Sequence, residues 1–421
     1  MPDAYFANIR SSLSWERRIL SNGLVVLLYP RLSALTTQLS VAVRYGSNDD
    51  SGDECGTAHF LEHMLVGGSQ RSTRLNHEIE RLGGCSSFET SNECTFSMID
   101  VLPETLPQAS HVLSGLLFDS EFGRDKLEHE RKVILAEIAE ASDKPQGKNE
   151  ETFLKCLFRH HPVRNPILGS KKTVNQIRLN DIKKAHEKYY SAQNMIVILS
   201  GKFSDRTVEL VLSDFQDRKK GAPTSRPKRS IETGKPKKRI LAKRPGIKQA
   251  YLHFGLKTPL VRNADVPTLE LISALLGVGE SSRLFVELRE KRALTYDYDS
   301  VNVAGLDFGY FEVSCAVKTK ALEQTQTVIQ GELEKLKDHP VKEKELERSK
   351  NLVLSDVFRS VDSPHQFPRV LTDLEIYFEN QNALINYIEQ VKSLSAKNIV
   401  EVANKYFQED NYARAILAPK R

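Results

Sequence analysis

Short runs of alternating apolar and polar residues give way along this chain to longer stretches with apolar positions three and four apart, and the order then repeats. Residues 19–28 (ILSNGLVVLL) carry Asn22-Gly23 between apolar flanks, which predicts a hairpin with a tight turn. Over 37–45, Leu39, Val41, Val43 and Tyr45 alternate as in a half-buried strand. A helix is expected around 59–63, and another over 74–82 that stops at Gly83-Gly84. Residues 87–101 read as strand, 106–117 and 124–141 as helices, 182–190 as helix and 195–200 (MIVILS) as buried strand.

The second half starts the same way. Strands are predicted over 239–243 and 249–256, and a helix over 268–276 occupies the place that the 59–63 helix holds in the first half. It carries no histidine. A strand over 310–317 and helices over 322–336, 342–359 and 382–391 follow. Strands then helices, used twice, predict an α+β fold of two homologous sandwich halves, each an antiparallel sheet packed with helices. The expected division is an N-terminal half over 1–217, a basic flexible linker over 218–238 and a C-terminal half over 239–421.

Composition narrows the class. At 421 residues with 40% apolar and 27% charged, the chain is a globular protein large enough for two cores. No run approaches the ~18 apolar residues of a membrane span. The N-terminal residues lack the apolar centre of a signal peptide, and Asp3 and Glu16 interrupt any transit-peptide pattern, so a cytoplasmic location is expected. Five cysteines without C-x-x-C pairing argue against a disulfide framework or a thiolate zinc site. Residues 218–244 hold 12 Lys or Arg and one acid, a net of +11 in a chain of +5, so the remainder is net −6. The basic stretch lacks the interleaved aromatics of a nucleic-acid platform and is expected to be a solvated tether. An acidic remainder favours basic, unfolded peptides as partners.

The candidate chemistry lies at His59-Phe60-Leu61-Glu62-His63, an H-x-x-E-H run. Residues four apart on a helix share a face, so His59 and His63 can present two imidazoles to one ion. Glu62 falls at the edge of that face, within reach of a water beside the ion. The alternative is a pair of solvated histidines beside a glutamate. A catalytic zinc takes three protein ligands, and the 124–141 helix is the best source of the third. There Leu127, Ile134 and Ile138 mark an apolar face, with Glu130 and Glu137 seven apart close to it. A carboxylate near the buried side of a helix is costly unless paired or metal-bound. Spacing alone does not choose between the two glutamates.

Residues 55–64 (CGTAHFLEHM), followed by ERKVILAEIAE at 130–140, resemble the pitrilysin-type inverzincin metallopeptidases, and within them the short-subunit branch that includes mitochondrial processing peptidase and its bacterial and archaeal relatives. The likeness continues through 161–169 (HPVRNPILG), 281–296 (SSRLFVELREKRALTY) and the opening hairpin. It implies one zinc per chain, with Glu137 as the third ligand after His59 and His63, and Glu130 as a supporting partner. It implies Glu62 as the general base, with Arg289 and Tyr296 of the second half holding a substrate carbonyl and stabilising the oxyanion. It also implies two halves facing each other across a chamber, and an extended peptide bound along a strand edge over 86–93.

Two positions depart from the family pattern. Cys85-Ser86-Ser87 stands where Asn-Ala often follows the Gly-Gly turn, and Ala293 stands where Gly is frequent. The function expected from the resemblance is zinc-dependent hydrolysis of extended, basic peptides by a homodimer or a heterodimer with a paralogue. The alternatives are a subunit that needs an inactive paralogue, and a non-catalytic scaffold. Retention of all four active-site residues, His59, Glu62, His63 and Glu137, and a Gly277–Ser282 stretch that is only mildly glycine-rich, favour the enzyme.

Overall fold

Strand, helix and sheet assignments come from a computed structural model, which describes residues 13–50, 52–66, 70–221 and 231–420. The first sheet has six strands: β1 (Glu16–Ile19), β2 (Val25–Pro30), β3 (Thr37–Val43), β4 (Cys85–Thr90), β5 (Thr95–Val101) and β6 (Met195–Gly201). They lie in the order β1-β2-β6-β3-β5-β4. The opening hairpin forms around Asn22-Gly23, with Ile19 opposite Val25. Its first strand ends at Ile19, and Asn22 in the turn points inward and donates to the carbonyl of Phe215 at 2.8 Å.

Helices interleave with these strands: α1 (Thr57–Val66), α2 (Gln70–Arg81), α3 (Leu106–Phe118), α4 (Arg124–Asp143), α5 (Pro145–Leu157), α6 (Lys171–Gln176), α7 (Leu179–Tyr189) and α8 (Asp205–Gln216). The second sheet is built from β7 (Arg239–Arg244), β8 (Ala250–Lys257), β9 (Asp297–Ala304), β10 (Gly309–Val317) and β11 (Tyr412–Pro419), in the order β7-β11-β8-β10-β9. The helices of this part of the sequence are α9 (Val266–Gly277), α10 (Leu322–Asp338), α11 (Glu343–Asp362), α12 (Phe367–Tyr377), α13 (Ala383–Ser393) and α14 (Ala396–Tyr406). Dropping β1 and reading β2, β6, β3, β5 and β4 as β7, β11, β8, β10 and β9 maps one sheet onto the other. The duplication expected from the sequence is therefore present in the topology.

Neither sheet is purely antiparallel, as had been expected. β2 runs parallel to β6, and β7 parallel to β11. In each sheet the returning last strand inserts between two antiparallel neighbours in sequence, so it must run parallel to one of them. The 87–101 segment also differs from the single strand expected. It is the hairpin β4–β5, turned at Ser91–Cys94, where the Ser91 amide donates to the Cys94 carbonyl at 2.8 Å.

All seven residues of β3 are buried, not every second one. Leu39, Val41 and Val43 join a core with Phe60, Leu61, Leu113 and Ile134. Gln38 and Ser40 face the other way, toward the face on which α12 packs. There the Phe367 ring meets Tyr29 at 4.4 Å, and Ser200 donates to the Pro364 carbonyl at 2.9 Å. Glu375, also on α12, takes both nitrogens of Arg17 at 2.8 Å and one from Arg44 at 3.3 Å. In the second sheet α5 plays the covering part: Asn149 donates to the carbonyls of Tyr251 and Ala415, both at 3.0 Å.

The chain accordingly forms two compact units interleaved in sequence. One gathers the described residues of Met1–Ala139, Pro166–Lys228 and Arg359–Gln381; the other those of Glu140–Asn165, Arg229–Phe358 and Asn382–Arg421. Of the segment expected to be a flexible linker, residues 222–230 lie outside the described ones. Among the described residues no helix is long and apolar enough to cross a membrane. None of the five cysteines is paired in a disulfide, and only Cys85 is exposed.

Candidate metal centre

Helix α1 is anchored at its start. Asp50, buried beneath it, accepts from the backbone N–H of Gly56 at 2.9 Å and of Ala58 at 3.2 Å, and from the Tyr45 hydroxyl at 2.7 Å. A carboxylate at a helix N-terminus satisfies amides that have no partner within the helix and complements the dipole. Gly56 adopts φ +98°, and a Cβ there would lie 2.9 Å from Gly169 Cα, so glycine is required where the 166–169 loop closes against the helix. These contacts fix the rotation of α1 and hence the direction of its side chains.

Phe60, Leu61, Met64 and Leu65 point into the core. His59 and His63 share another face, with ring centres 4.7 Å apart. On α4, Leu127, Ile134 and Ile138 are buried as the periodicity predicted, and Glu130 is buried with them. Glu137, two turns further on, has a side chain 38% exposed. Its Oε2 lies 3.4 Å from His63 Nε2 and 3.8 Å from His59 Nε2. Glu130 Oε2 is 3.1 Å from His63 Nδ1.

His59, His63 and Glu137 each offer a ligand atom within 4.8 Å of the others, and form the group of three such residues found among the described residues. Two imidazoles and one carboxylate at this separation are a donor set that zinc accepts. The electrostatics fit a cation as well. Burial, reinforced by His63, lowers His59 to about 3, so its imidazole is neutral, the state a ligand needs. For His63, burial acts downward, but the Glu130 hydrogen bond and the charges of Glu137 and Glu62 outweigh it and raise the pKa. Three carboxylates thus surround two imidazoles, and a divalent ion would balance the excess negative charge.

Glu62 is buried at the end of β4. Its Oε2 accepts from the Thr90 hydroxyl at 2.5 Å. Burial pushes its carboxyl upward; the Thr90 bond and His63 pull the other way without cancelling that rise, and the charges of Glu137 and Glu89 add to it. A carboxyl shifted upward in this way is suited to exchanging protons.

The structure therefore brings together five of the seven residues singled out in the sequence: His59, Glu62, His63, Glu130 and Glu137. Arg289 and Tyr296 belong to the second unit. Arg289 sits in a π-helical turn, Phe285–Glu290, with its guanidinium 5.1 Å from the Phe285 ring centre and 5.2 Å from that of Tyr296. Tyr296 is 81% exposed. Ala293 between them has φ +49°, in the left-handed region that favours glycine.

Sequence reasoning missed Asp50 and Thr90. Asp50 had no signal, since it precedes α1 by a loop of no fixed spacing. Thr90 was hidden because β4 and β5 were read as one strand; the polar Ser91-Asn92-Glu93 turn was the available clue.

Comparison with known proteins identifies the family. Residues 26–171 match the family described as Insulinase (Peptidase family M16), and residues 176–353 match the Peptidase M16 inactive domain. An uncharacterized zinc protease of Bacillus subtilis, YmxG, is 27% identical over 407 residues, covering 96% of this chain and 98% of that one. The zinc protease PqqE of Helicobacter pylori is 27% identical over 418 residues, covering 96% and 93%. The crystal structure of a protease from Helicobacter pylori shares the fold, with a TM-score of 0.89 at 24% identity over 96% of this chain and 99% of that one. The segment matching the inactive domain lacks the His59–His63 pair, and the segment matching the insulinase model contains His59, His63 and Glu137. The chain belongs to peptidase family M16, and the two relatives above, of similar length, are named zinc proteases.

Proposed function

We propose that this protein is a zinc-dependent endopeptidase that cleaves extended, basic peptides. The observation that carries the proposal is the convergence of His59 Nε2, His63 Nε2 and Glu137 Oε2 beside a buried Glu62 held by Thr90. His59, His63 and Glu137 would hold one zinc per chain; when bound, the ion supplies Lewis acidity that polarises the scissile carbonyl and lowers the pKa of a coordinated water to about 7.

The chain's own residues do the rest. Glu62 takes the proton from the attacking water at its free carboxylate oxygen, the other being occupied by Thr90, and then delivers it to the leaving amine. Glu130 fixes His63 through Nδ1, which leaves Nε2 for the metal. Strand β4 ends the sheet order, so among the described residues one edge of it has no strand partner. Its last residue is the Thr90 that holds Glu62. A peptide adding to that edge by backbone hydrogen bonds would pass the catalytic carboxylate. Backbone pairing needs no particular side chain, so Cys85-Ser86-Ser87 in place of Asn-Ala is compatible with it. By family resemblance Arg289 holds a substrate carbonyl and Tyr296 donates to the developing oxyanion. A second copy of the chain or a paralogue is the proposed assembly partner, and the cytoplasm the proposed location.

The test is direct. Purified protein should contain about one zinc per chain, and casein or basic peptides should be cut by the chain alone. Glu62→Gln should retain the metal and lose cleavage by ~10²-fold or more; a rate within threefold of wild type would show that another group is the base. Tyr296→Phe should lower kcat more than it raises KM, and an unchanged kcat would remove this hydroxyl from the mechanism.

A further inference from the structure

The register of β4 carries an inference about what the peptidase selects. Side chains along a strand alternate between the two faces of the sheet. On β4, Phe88 packs against the core of the first unit and Thr90 is buried against Glu62. Ser86, Phe88 and Thr90 therefore mark the face of α1 and the metal centre. Cys85, Ser87 and Glu89 mark the opposite face.

Thr90 fixes the position along β4 at which the reacting carboxylate sits. Glu89 is the next residue and projects to the other side of the sheet, its side chain 60% exposed. A peptide strand added to the free edge of β4 places one residue directly across from Glu89, with its side chain on the same face and Cβ atoms ~4.5–5.5 Å apart. That residue neighbours the one passing Glu62.

The charge on this face is also set. Arg369 of α12 reaches Glu89 Oε2 at 3.3 Å and Asp373 at 3.9 Å, and its guanidinium lies 5.4 Å from the centre of the Phe96 ring. The arginine is thus engaged by two carboxylates and a ring. Glu89 spends one acceptor position on a long bond and keeps the others open, since a carboxylate offers about four. An incoming cation finds an acceptor there, and an incoming anion finds a carboxylate.

We propose that Glu89 is a specificity-determining residue that selects lysine or arginine at the substrate position lying across β4 from it, adjacent to the scissile bond. The assignment rests on the peptidase function and β4 edge binding proposed above. Exposed ion pairs are weak, and attraction of Lys combined with repulsion of Glu gives about a five- to tenfold difference between the two.

The test uses zinc-loaded full-length protein and a set of internally quenched peptides in which Lys, Gln and Glu are placed in turn at each position within three residues of one cleavable bond. Wild type should show a Lys-over-Glu preference in kcat/KM of about fivefold or more at a single position next to the bond, shrinking as salt rises from 0.05 to 0.5 M. In Glu89→Gln the ratio should fall toward one, and in Glu89→Arg it should invert at that position alone. Ratios within one variant are insensitive to how much of it is folded. A wild-type profile that is flat at that position, or a Lys preference retained in Glu89→Arg, would overturn the assignment. Cleavage of the Gln peptides by wild type would keep the peptidase function standing in either case. Failure of wild type to cut any peptide would overturn both.

Discussion

The carboxylate of Glu130 lies 3.1 Å from Nδ1 of His63, and in the proposed metal centre this contact would leave Nε2 as the nitrogen open to an ion. With Nδ1 engaged, Nε2 faces Glu137 at 3.4 Å. Replacing Glu130 by Gln keeps the shape but removes the charge that holds the imidazole in that tautomer. Loss of such a supporting partner typically costs 10–100-fold in metal affinity or activity. Glu130→Gln should therefore bind zinc at least tenfold more weakly in a chelator competition, with far-ultraviolet circular dichroism unchanged. Wild-type affinity in that variant would show that His63 is positioned by packing alone.

Covering the outer face of the first sheet depends on Glu375. It is buried at the meeting of Arg17 and Arg44, with the bidentate pair to Arg17 at 2.8 Å. Truncating one partner of a buried pair leaves charge uncompensated and costs about 3–5 kcal/mol. Glu375→Ala should accordingly lower the urea midpoint sharply and make α12 more accessible to protease. A loss below ~1 kcal/mol would mean that the two arginines find water instead.

Much of this architecture was legible in the chain, and the reasons for the failures are specific. Helices α1 and α4 announced themselves because each carries one apolar stripe and no Gly or Pro, and the metal site follows from that geometry. The helix α12 was missed because Pro364 and Pro368 flank its start, although proline is well tolerated in a helix's first turn. Helix α5 was missed because Pro145, Gly147 and a polar first half hide an apolar face confined to Phe153–Leu157. Each belongs to a different compact unit from the segments that flank it in sequence. The alternation in β3 suggested a wet face for the same reason: Gln38 and Ser40 are polar, yet α12 covers that side. Periodicity reports which residues prefer burial, and it does not report which distant helix will bury the rest.

Ala293 offers a stabilising change. Its φ of +49° places a Cβ in the left-handed region, where an L side chain meets the neighbouring carbonyl at ~1 kcal/mol or more. Glycine removes that cost but adds chain entropy to the unfolded state, which offsets part of the gain. Ala293→Gly should raise stability by about 0.5–1 kcal/mol in denaturant unfolding, without altering zinc content. Destabilisation would show that the alanine methyl makes packing contacts worth more than the strain.

Acid sensitivity of the second unit should trace to Glu232, the lone acid of the basic 218–244 stretch. Its carboxylate accepts from the backbone N–H groups of Arg159, His160 and His161 at 2.7, 2.9 and 3.1 Å, and from Lys257 Nζ at 3.2 Å. Burial opposes ionisation, but these donors outweigh it and hold the pKa at about 2. In the unfolded chain a glutamate titrates near ~4.3. A group whose folded pKa is depressed stabilises the fold above the unfolded value, and that stability is lost as pH falls through the gap. Glu232→Gln should therefore be less stable than wild type at pH 7. The two should converge between about pH 5 and pH 2, because protonation removes from wild type what the substitution has already removed. Stability measured by urea unfolding at unit pH steps checks this. A difference that stays constant from pH 7 to pH 2 would mean that the amide loses packing rather than charge, and that the three backbone donors do not depend on the ionised carboxylate.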